Sequence, residues 1–392
     1  MFVNKFYDVF SLVNFAYLDA YKLPLYAIIA IKRCMMDKNK LMVIYGSEIQ
    51  SMAYELCTKL DLAHLIPRGS DVGLKPNYVV SRPADGGATT HPEILEGIII
   101  YLKQNGIDDI TIMEGAWVGD STKRAFKVCG AQDLQNRYGV KLIDLKSDAV
   151  KKVEGIDICK SALECGFLIN LPVLKGHCQT RMTCALKNMK GCIPDSEKRA
   201  FHAQGLFEPI GHLGAILKPD LTIVDGICGD LSFEEGGNPV RMDRLIAGFD
   251  SVKIDSYVCR LMGLHLSDVP YIEIAGQYGA GSIKIEEDTV IELNTPKETG
   301  SIHAGNEAQR LKQYINEDKA CSACYGSLIF ALHNSDRRTL QKLSGRINIG
   351  QGFQDKKTEG LGIGDCCSGC SDFVKGCPPR AEKIIEKLKE LS

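Results

Sequence analysis

Short apolar runs alternate with helical patterns along most of this chain: LMVIYG (41–46), a helical pattern over 47–60, DVGLKPNYVV (71–80), a second helical pattern over 92–105, and ITIMEG (110–115). The rhythm continues through VKLIDL (140–145), GFLINLPVL (166–174) and LTIVDGI (221–227). Strands separated by helical crossovers pair in parallel, with helices covering both faces of the sheet. The pattern therefore predicts an α/β fold, Rossmann-like, with a mostly parallel sheet flanked by helices and a smaller α/β segment at the C-terminus. The helix from 92 is the best punctuated. Thr90 offers a capping hydroxyl, Pro92 suits the first turn, Ile94, Leu95, Ile98, Ile99 and Leu102 form the apolar stripe, and Asn105-Gly106 ends it.

At 392 residues the chain exceeds what one hydrophobic core usually holds. The expected division is an N-terminal extension (1–40), an α/β domain (41–285) and a cysteine-rich C-terminal domain (286–392), with the charged, β-type sequence over 282–303 as connector. The apolar stretch LPLYAIIAI is nine residues long, whereas a helix needs about 20 to cross a bilayer. No membrane is expected. A net charge of −2 and the lack of a basic run exclude an electrostatic nucleic-acid footprint. The 16 cysteines, with no secretory signal ahead of them, fit a reducing cytoplasm better than a disulfide scaffold.

Six of those cysteines crowd the last seventy residues. Cys321-Ser-Ala-Cys324 opens one helical run and Gly376-Cys377-Pro378-Pro379 precedes another, so both halves deliver sulfur at helix starts, where free N–H groups favour thiolate. A C-x-x-C pair joined to a Cys-Pro segment is the arrangement of ferredoxin-type ligation and predicts an iron–sulfur cluster. Cys321, Cys324 and Cys377 are candidate ligands, and the further position is open among Cys366, Cys367 and Cys370. Two C-x-x-C pairs, Cys321/Cys324 and Cys367/Cys370, also match a structural zinc site, the competing reading. Cys57, Cys129, Cys159, Cys165, Cys228 and Cys259 read as small core residues. Cys178, Cys184 and Cys192 lie in a polar segment where extra ligands are conceivable.

That segment follows GFLINLPVL and carries Lys175, His177, Arg181, Lys187, Asn188 and Lys190. Ligands of parallel sheets bind outside the carboxyl ends of the strands, so these groups predict a site for a small anionic substrate, with His177 able to move protons near neutral pH. Asp225, at the end of LTIVDGI, and Glu234-Glu235 supply acid. Lys75 and Asn77 form a third candidate wall. Lys175, His177, Lys187 and Asp225 are the candidate catalytic residues; Lys75, Asn77, Arg181, Asn188, Lys190 and Asp255 are candidate substrate ligands.

Taken together, LKPNYVV, GGATTHPEILEGI, ITIMEGAW, LINLPVLKGHCQTRMTCALKNMKGCIP, LTIVDGI and IAGFDSVKIDSYVCRLMGL resemble the domain-of-unknown-function 362 family over roughly residues 70 to 285. The resemblance implies a Rossmann-like fold and cluster cysteines in a C-terminal segment ending in GCPP. By the same analogy GIGDC singles out Cys366, giving Cys321, Cys324, Cys366 and Cys377 as ligands of a 4Fe-4S cluster. Where the family usually has Asp-Pro-Val, this chain has Asp250-Ser251-Val252. A distant likeness to the lactate racemase fold transfers no residues. The expected function is that of a redox enzyme or electron-transfer protein, an iron–sulfur oxidoreductase served by a redox partner protein, with a flavin or other second cofactor undetermined. A non-redox lyase or racemase with a structural or Lewis-acid cluster, and a zinc-stapled binding module, are the alternatives.

Overall fold

The computed structural model describes residues 38–296 and 302–391, apart from 342 and 344. The expected N-terminal extension falls, up to residue 37, outside the described residues, as does its apolar stretch. Eight strands build the main sheet: β1 (Leu41–Tyr45), β2 (Val72–Pro76), β3 (Ile110–Glu114), β4 (Lys141–Asp144), β5 (Phe167–Leu171), β6 (Leu221–Asp230), β7 (Pro239–Gly248) and β8 (Val290–Glu292). Their spatial order is β8-β1-β7-β6-β5-β2-β3-β4, parallel throughout except that β7 runs antiparallel to both its neighbours. β7 was not anticipated. It follows β6 through the short link 231–238, so it forms a hairpin and needs no helical crossover. β8 comes from beyond residue 285 and pairs with β1, so the main sheet reaches into the segment expected to be C-terminal.

Alternate residues of the strands supply opposite cores. Ile44, Leu74, Ile112, Ile169 and Ile223 pack on one face, against α1 (Ile49–Lys59) and α2 (Pro92–Gln104). Val43, Met113, Leu168 and Val224 pack on the other, with α3 (Ala185–Asn188), α4 (Asp195–Gln204) and α5 (Ser251–Leu261). That period of two is what a sheet covered on both sides requires.

The start of α2 differs from its expected cap. His91 occupies the cap position, and the Asp225 carboxylate of β6 accepts its N–H at 2.8 Å. The Thr90 hydroxyl instead accepts the Asn77 N–H and donates to Leu171 O, both at 2.7 Å. Asp250 does cap α5, accepting the Lys253 N–H at 2.9 Å.

The C-terminal lobe is a second parallel sheet, β9 (Ile315–Glu317), β10 (Ile347–Ile349), β11 (Thr358–Ile363) and β12 (Cys370–Val374), in sequential order. Helices α6 (Ser322–His333) and α7 (Ala381–Glu390) cover it through Leu328, Ile329, Leu332, Ile384 and Leu388. The chain is thus α/β in both lobes.

Candidate functional site

The carboxyl ends of β2 and β3 and the segment after β5 meet in a layer of buried polar groups. Lys75, at the end of β2, is wholly buried and pairs with Glu114, at the end of β3, at 2.8 Å. Its ammonium also donates to Pro76 O, and Glu114 accepts the N–H groups of Tyr78 and Gly115. A side chain at Gly191 would run into this pair, so glycine is required where the two segments cross. Asn188 ties the same layer together, donating to Asn170 Oδ1 at 2.7 Å.

After β5 the chain forms a short hairpin, Lys175–His177 with Arg181–Thr183, which delivers Lys175 and His177 to Glu234. Lys175 is wholly buried and donates to Asn77 Oδ1, Ala88 O and Glu234 O. Burial pulls its pKa down to about 8 against the attraction of Glu234. His177 Nδ1 accepts the N–H groups of Gln179 and Thr180 at 3.0 and 3.1 Å, which leaves the ring proton on Nε2. Nε2 stands 2.8 Å from Glu234 Oε2, a close contact rather than a well-aimed hydrogen bond. Burial lowers the imidazole pKa to about 4, so His177 is neutral at physiological pH. Lys187, on α3, donates to Glu234 Oε1 at 2.7 Å. Burial opposes ionisation of Glu234, yet His177 and Lys187 hold its carboxyl well below the usual range.

These groups back a cleft of ≈ 630 Å³ that includes the solvent at its mouth. Its lining combines the polar Lys187, Lys190, Lys198, His202 and Thr183 with the apolar Val79, Trp117, Val118 and Ala323. Lys198 is committed to Gly115 O, Ala116 O and Asp195. Lys190 is half-buried, and its ammonium stands 3.4 Å from His202 Nε2. Burial, then the Lys187 charge, pull its pKa down to about 7.

Of the expected site residues, Asn77, Lys187, Asn188 and Lys190 line the cleft. Lys75, Lys175 and His177 stand behind its wall. Three others are elsewhere. Asp225 is sealed against His91 and the N–H of Ile227, serving the start of α2. Asp255 is fully buried on α5 and accepts the N–H groups of Ala185 and Leu186, anchoring α3. Arg181 reaches away to Asn306 Oδ1 at 3.1 Å. Sequence reasoning overlooked Glu114, Trp117, Lys198, His202 and Ser322. Glu114 and Trp117 were legible as the end of ITIMEG and its following turn, and Lys198 with His202 as an i, i+4 pair on one helix face.

The cysteines divide into two sets. Cys321, the residue before α6, lines the cleft with Ser322. Burial raises the Cys321 thiol to about 11, reinforced by Cys366 and Cys377; burial likewise raises Cys324, reinforced by Cys321, Cys377 and Cys366. A side chain at Gly364 would meet Cys324 Sγ, so Cys324 lies beside the segment that carries Cys366. Cys367 and Cys370 pack with Phe353 in a separate apolar nest. There Cys367 donates to Asn348 O at 3.5 Å, and Asn348 Nδ2 donates to Cys370 at 3.8 Å. Among the described residues, no group of three or more His, Cys, Asp or Glu side chains is disposed to hold a metal ion. All described cysteines are free thiols; Cys178, Cys184 and Cys192 are buried, Cys178 in the core of the C-terminal lobe. No described helix is long and apolar enough to cross a membrane.

Two comparisons with known proteins bear on this chain. The Thylakoid-associated protein sll1697 of Synechocystis sp. (strain ATCC 27184 / PCC 6803 / Kazusa) is 24% identical over 271 residues, covering 64% of this chain and 81% of the relative. The lactate racemase apoprotein from Thermoanaerobacterium thermosaccharolyticum superposes with a TM-score of 0.37 at 14% identity, over 60% of this chain and 59% of that one. Residues 72–260, from β2 to α5, carry every strand end and loop that builds the polar layer, and this stretch matches the family described as Domain of unknown function (DUF362).

Proposed function

We propose that this chain is an iron–sulfur protein in which Cys321, Cys324, Cys366 and Cys377 hold a 4Fe-4S cluster beside a cleft for a small anionic substrate. The observation that carries the reading is that Cys321 lines the same cleft as Lys187 and Lys190. Four cysteines are the residues that would hold the group. Cys321 and Cys324, made harder to ionise by burial and by neighbouring thiols, would gain from iron what they lack as free thiolates. One mononuclear zinc suits them less, since a single ion needs its ligands gathered about one point and Cys367 and Cys370 are turned to Asn348. Bound there, the cluster would supply one-electron chemistry at the cleft wall. Cys377 is exposed, which leaves that edge open to a redox partner protein.

The chain's own residues bind and orient. Lys190 is the ammonium facing the cleft that a substrate anion can claim, while Glu114 and Glu234 are already neutralised by Lys75 and Lys187. A second reading, a lyase or racemase that moves a proton without net redox change, draws support from Lys190 and Glu235, both brought to about 7. Iron and inorganic sulfide quantification on anaerobically purified protein, with EPR before and after reduction, tests the assignment. About four irons and four sulfides per chain with a reducible signal are expected. Iron and sulfide that resist reduction favour the second reading, and zinc without sulfide rejects the cluster.

A further inference from the structure

We infer that the cleft is shaped for a monocarboxylic acid with a flat apolar body, its carboxylate at Lys190 and its body against Trp117. This deepens the anionic-substrate reading and rests on it. The charges decide the valence. Of the three cleft lysines, Lys187 is bound to Glu234 and Lys198 donates to two carbonyls and Asp195, so Lys190 alone lacks a carboxylate partner among the described residues. Glu114 and Glu234 also line the cleft. A dianion would meet both and find one compensating charge; a monoanion is matched.

A second polar group lines the same cleft. The Thr183 hydroxyl lines the cleft on a residue only 1% exposed, and it has no hydrogen-bond partner. A buried hydroxyl without a partner is costly, and a ligand oxygen would satisfy it. The same cleft has an apolar lining too, with Val79, Trp117, Val118 and Ala323. Trp117 is held by its own backbone, its N–H donating to Val79 O at 3.1 Å and its carbonyl accepting Lys146 Nζ at 2.8 Å. Stripping water from an inorganic phosphate against such a wall gains nothing, whereas a planar apolar group gains burial and ring contact.

The chain contains a single tryptophan, so its emission reports on this wall alone. The experiment is calorimetry, with Trp117 fluorescence in parallel, on the anaerobically purified full chain. The probes are phenylacetate, acetate, inorganic phosphate and benzyl alcohol. Phenylacetate is expected to bind saturably, at least tenfold tighter than the other three, and to change the emission. Lys190→Met should weaken it at least tenfold, and Trp117→Leu should bring it to the acetate level by calorimetry while leaving acetate unchanged. Should Lys190→Met fail to fold, Thr183→Val reads the same end of the ligand, with an expected loss of about fivefold for one hydrogen bond. Phosphate binding as tightly as phenylacetate overturns the organic-acid inference and leaves the anionic reading standing. Benzyl alcohol binding equally well overturns the carboxylate. If no anion binds, the anionic cleft falls with the inference.

Discussion

Replacing Glu234 by glutamine keeps the shape of the side chain and removes the charge, and its cost follows from what surrounds the two carboxylate oxygens. Oε1 receives a proton from Lys187 at 2.7 Å, and Oε2 faces the protonated Nε2 of His177 at 2.8 Å. Both neighbours are donors. A carboxylate can face two donors; an amide has one acceptor and one donor, so in either orientation its NH₂ group meets a proton. His177 cannot relieve the clash by changing tautomer, because Nδ1 already accepts two backbone N–H groups. Lys187, 5% exposed, is then left without its counter-charge.

Removing one partner of a buried ion pair costs about 3–5 kcal/mol, and the retained single hydrogen bond puts this variant near 3 kcal/mol. For a chain of this size that lowers the melting temperature by roughly 4–6 °C. Differential scanning calorimetry on wild type and Glu234→Gln at pH 7.5 measures it. The control is the double variant Glu234→Met with Lys187→Met, which removes both charges and should recover most of the loss. A single variant that melts within about 1 °C of wild type, or a double variant no more stable than the single, refutes the argument.

Acid should act through His177. Its folded pKa, about 4, lies below the ordinary 6.5, so the neutral ring is favoured in the fold; the stability it allows is complete above about pH 6.5 and declines as pH falls toward 4. The decline amounts to about 3 kcal/mol, and melting temperatures from pH 7.5 to 4.5 should fall less steeply in His177→Gln; an unchanged slope rejects His177 as the sensor. Lys75→Met leaves Glu114 buried with the N–H groups of Tyr78 and Gly115 still donating, so its cost should sit near 3 kcal/mol, at the low end for a broken buried pair; calorimetry showing less than about 1 kcal/mol argues that the pair adds nothing. Cys366→Ser should lose most of the iron per chain, whereas Cys367→Ser and Cys370→Ser should keep it; equal iron in all three variants rejects the preferred ligand set.

The strands were legible because burial on both faces leaves a clear mark in sequence. ITIMEG, LMVIYG and LTIVDGI are nearly unbroken apolar runs, and their structured cores coincide with β3, β1 and the first part of β6. β7 was missed because Arg241, Asp243 and Arg244 break the apolar run, and its first residues are exposed. β12 begins at a cysteine, which drew attention to sulfur chemistry and away from CSDFV as a strand. At the site, strand-end logic found the lysines but could not tell which face the cleft and which stand behind its wall. Asp225 shows the difficulty: a carboxylate at the end of a buried strand reads as catalytic until the N–H of His91 and its ring, both 2.8 Å away, account for it. Distant partners of that kind leave no local signal.

The same is true of the largest organisational fact, that the cleft lies between the two lobes. Gln179, two residues after His177, donates to Glu317 and to Ala320 O and accepts the Ser322 hydroxyl. On either side of Glu234 the link between β6 and β7 is pinned by the same lobe: Ser232 donates to Glu307, the Phe233 ring meets His333, and a side chain at Gly326 would strike Glu235. The loop carrying Trp117 is closed at Gly119, where an added Cβ would run into Pro378 beside Cys377. The hairpin, the Glu234 link and the Trp117 loop are thus each fixed from the main sheet on one side and from the cysteine-bearing lobe on the other. A boundary near 285 cuts across the main sheet, through its pairing of β8 with β1, and across one site. Since surface loops hold a shape only where their polar groups find partners, ordering the cysteine segment and ordering the basic wall are one event, and perturbing either should be felt in the other.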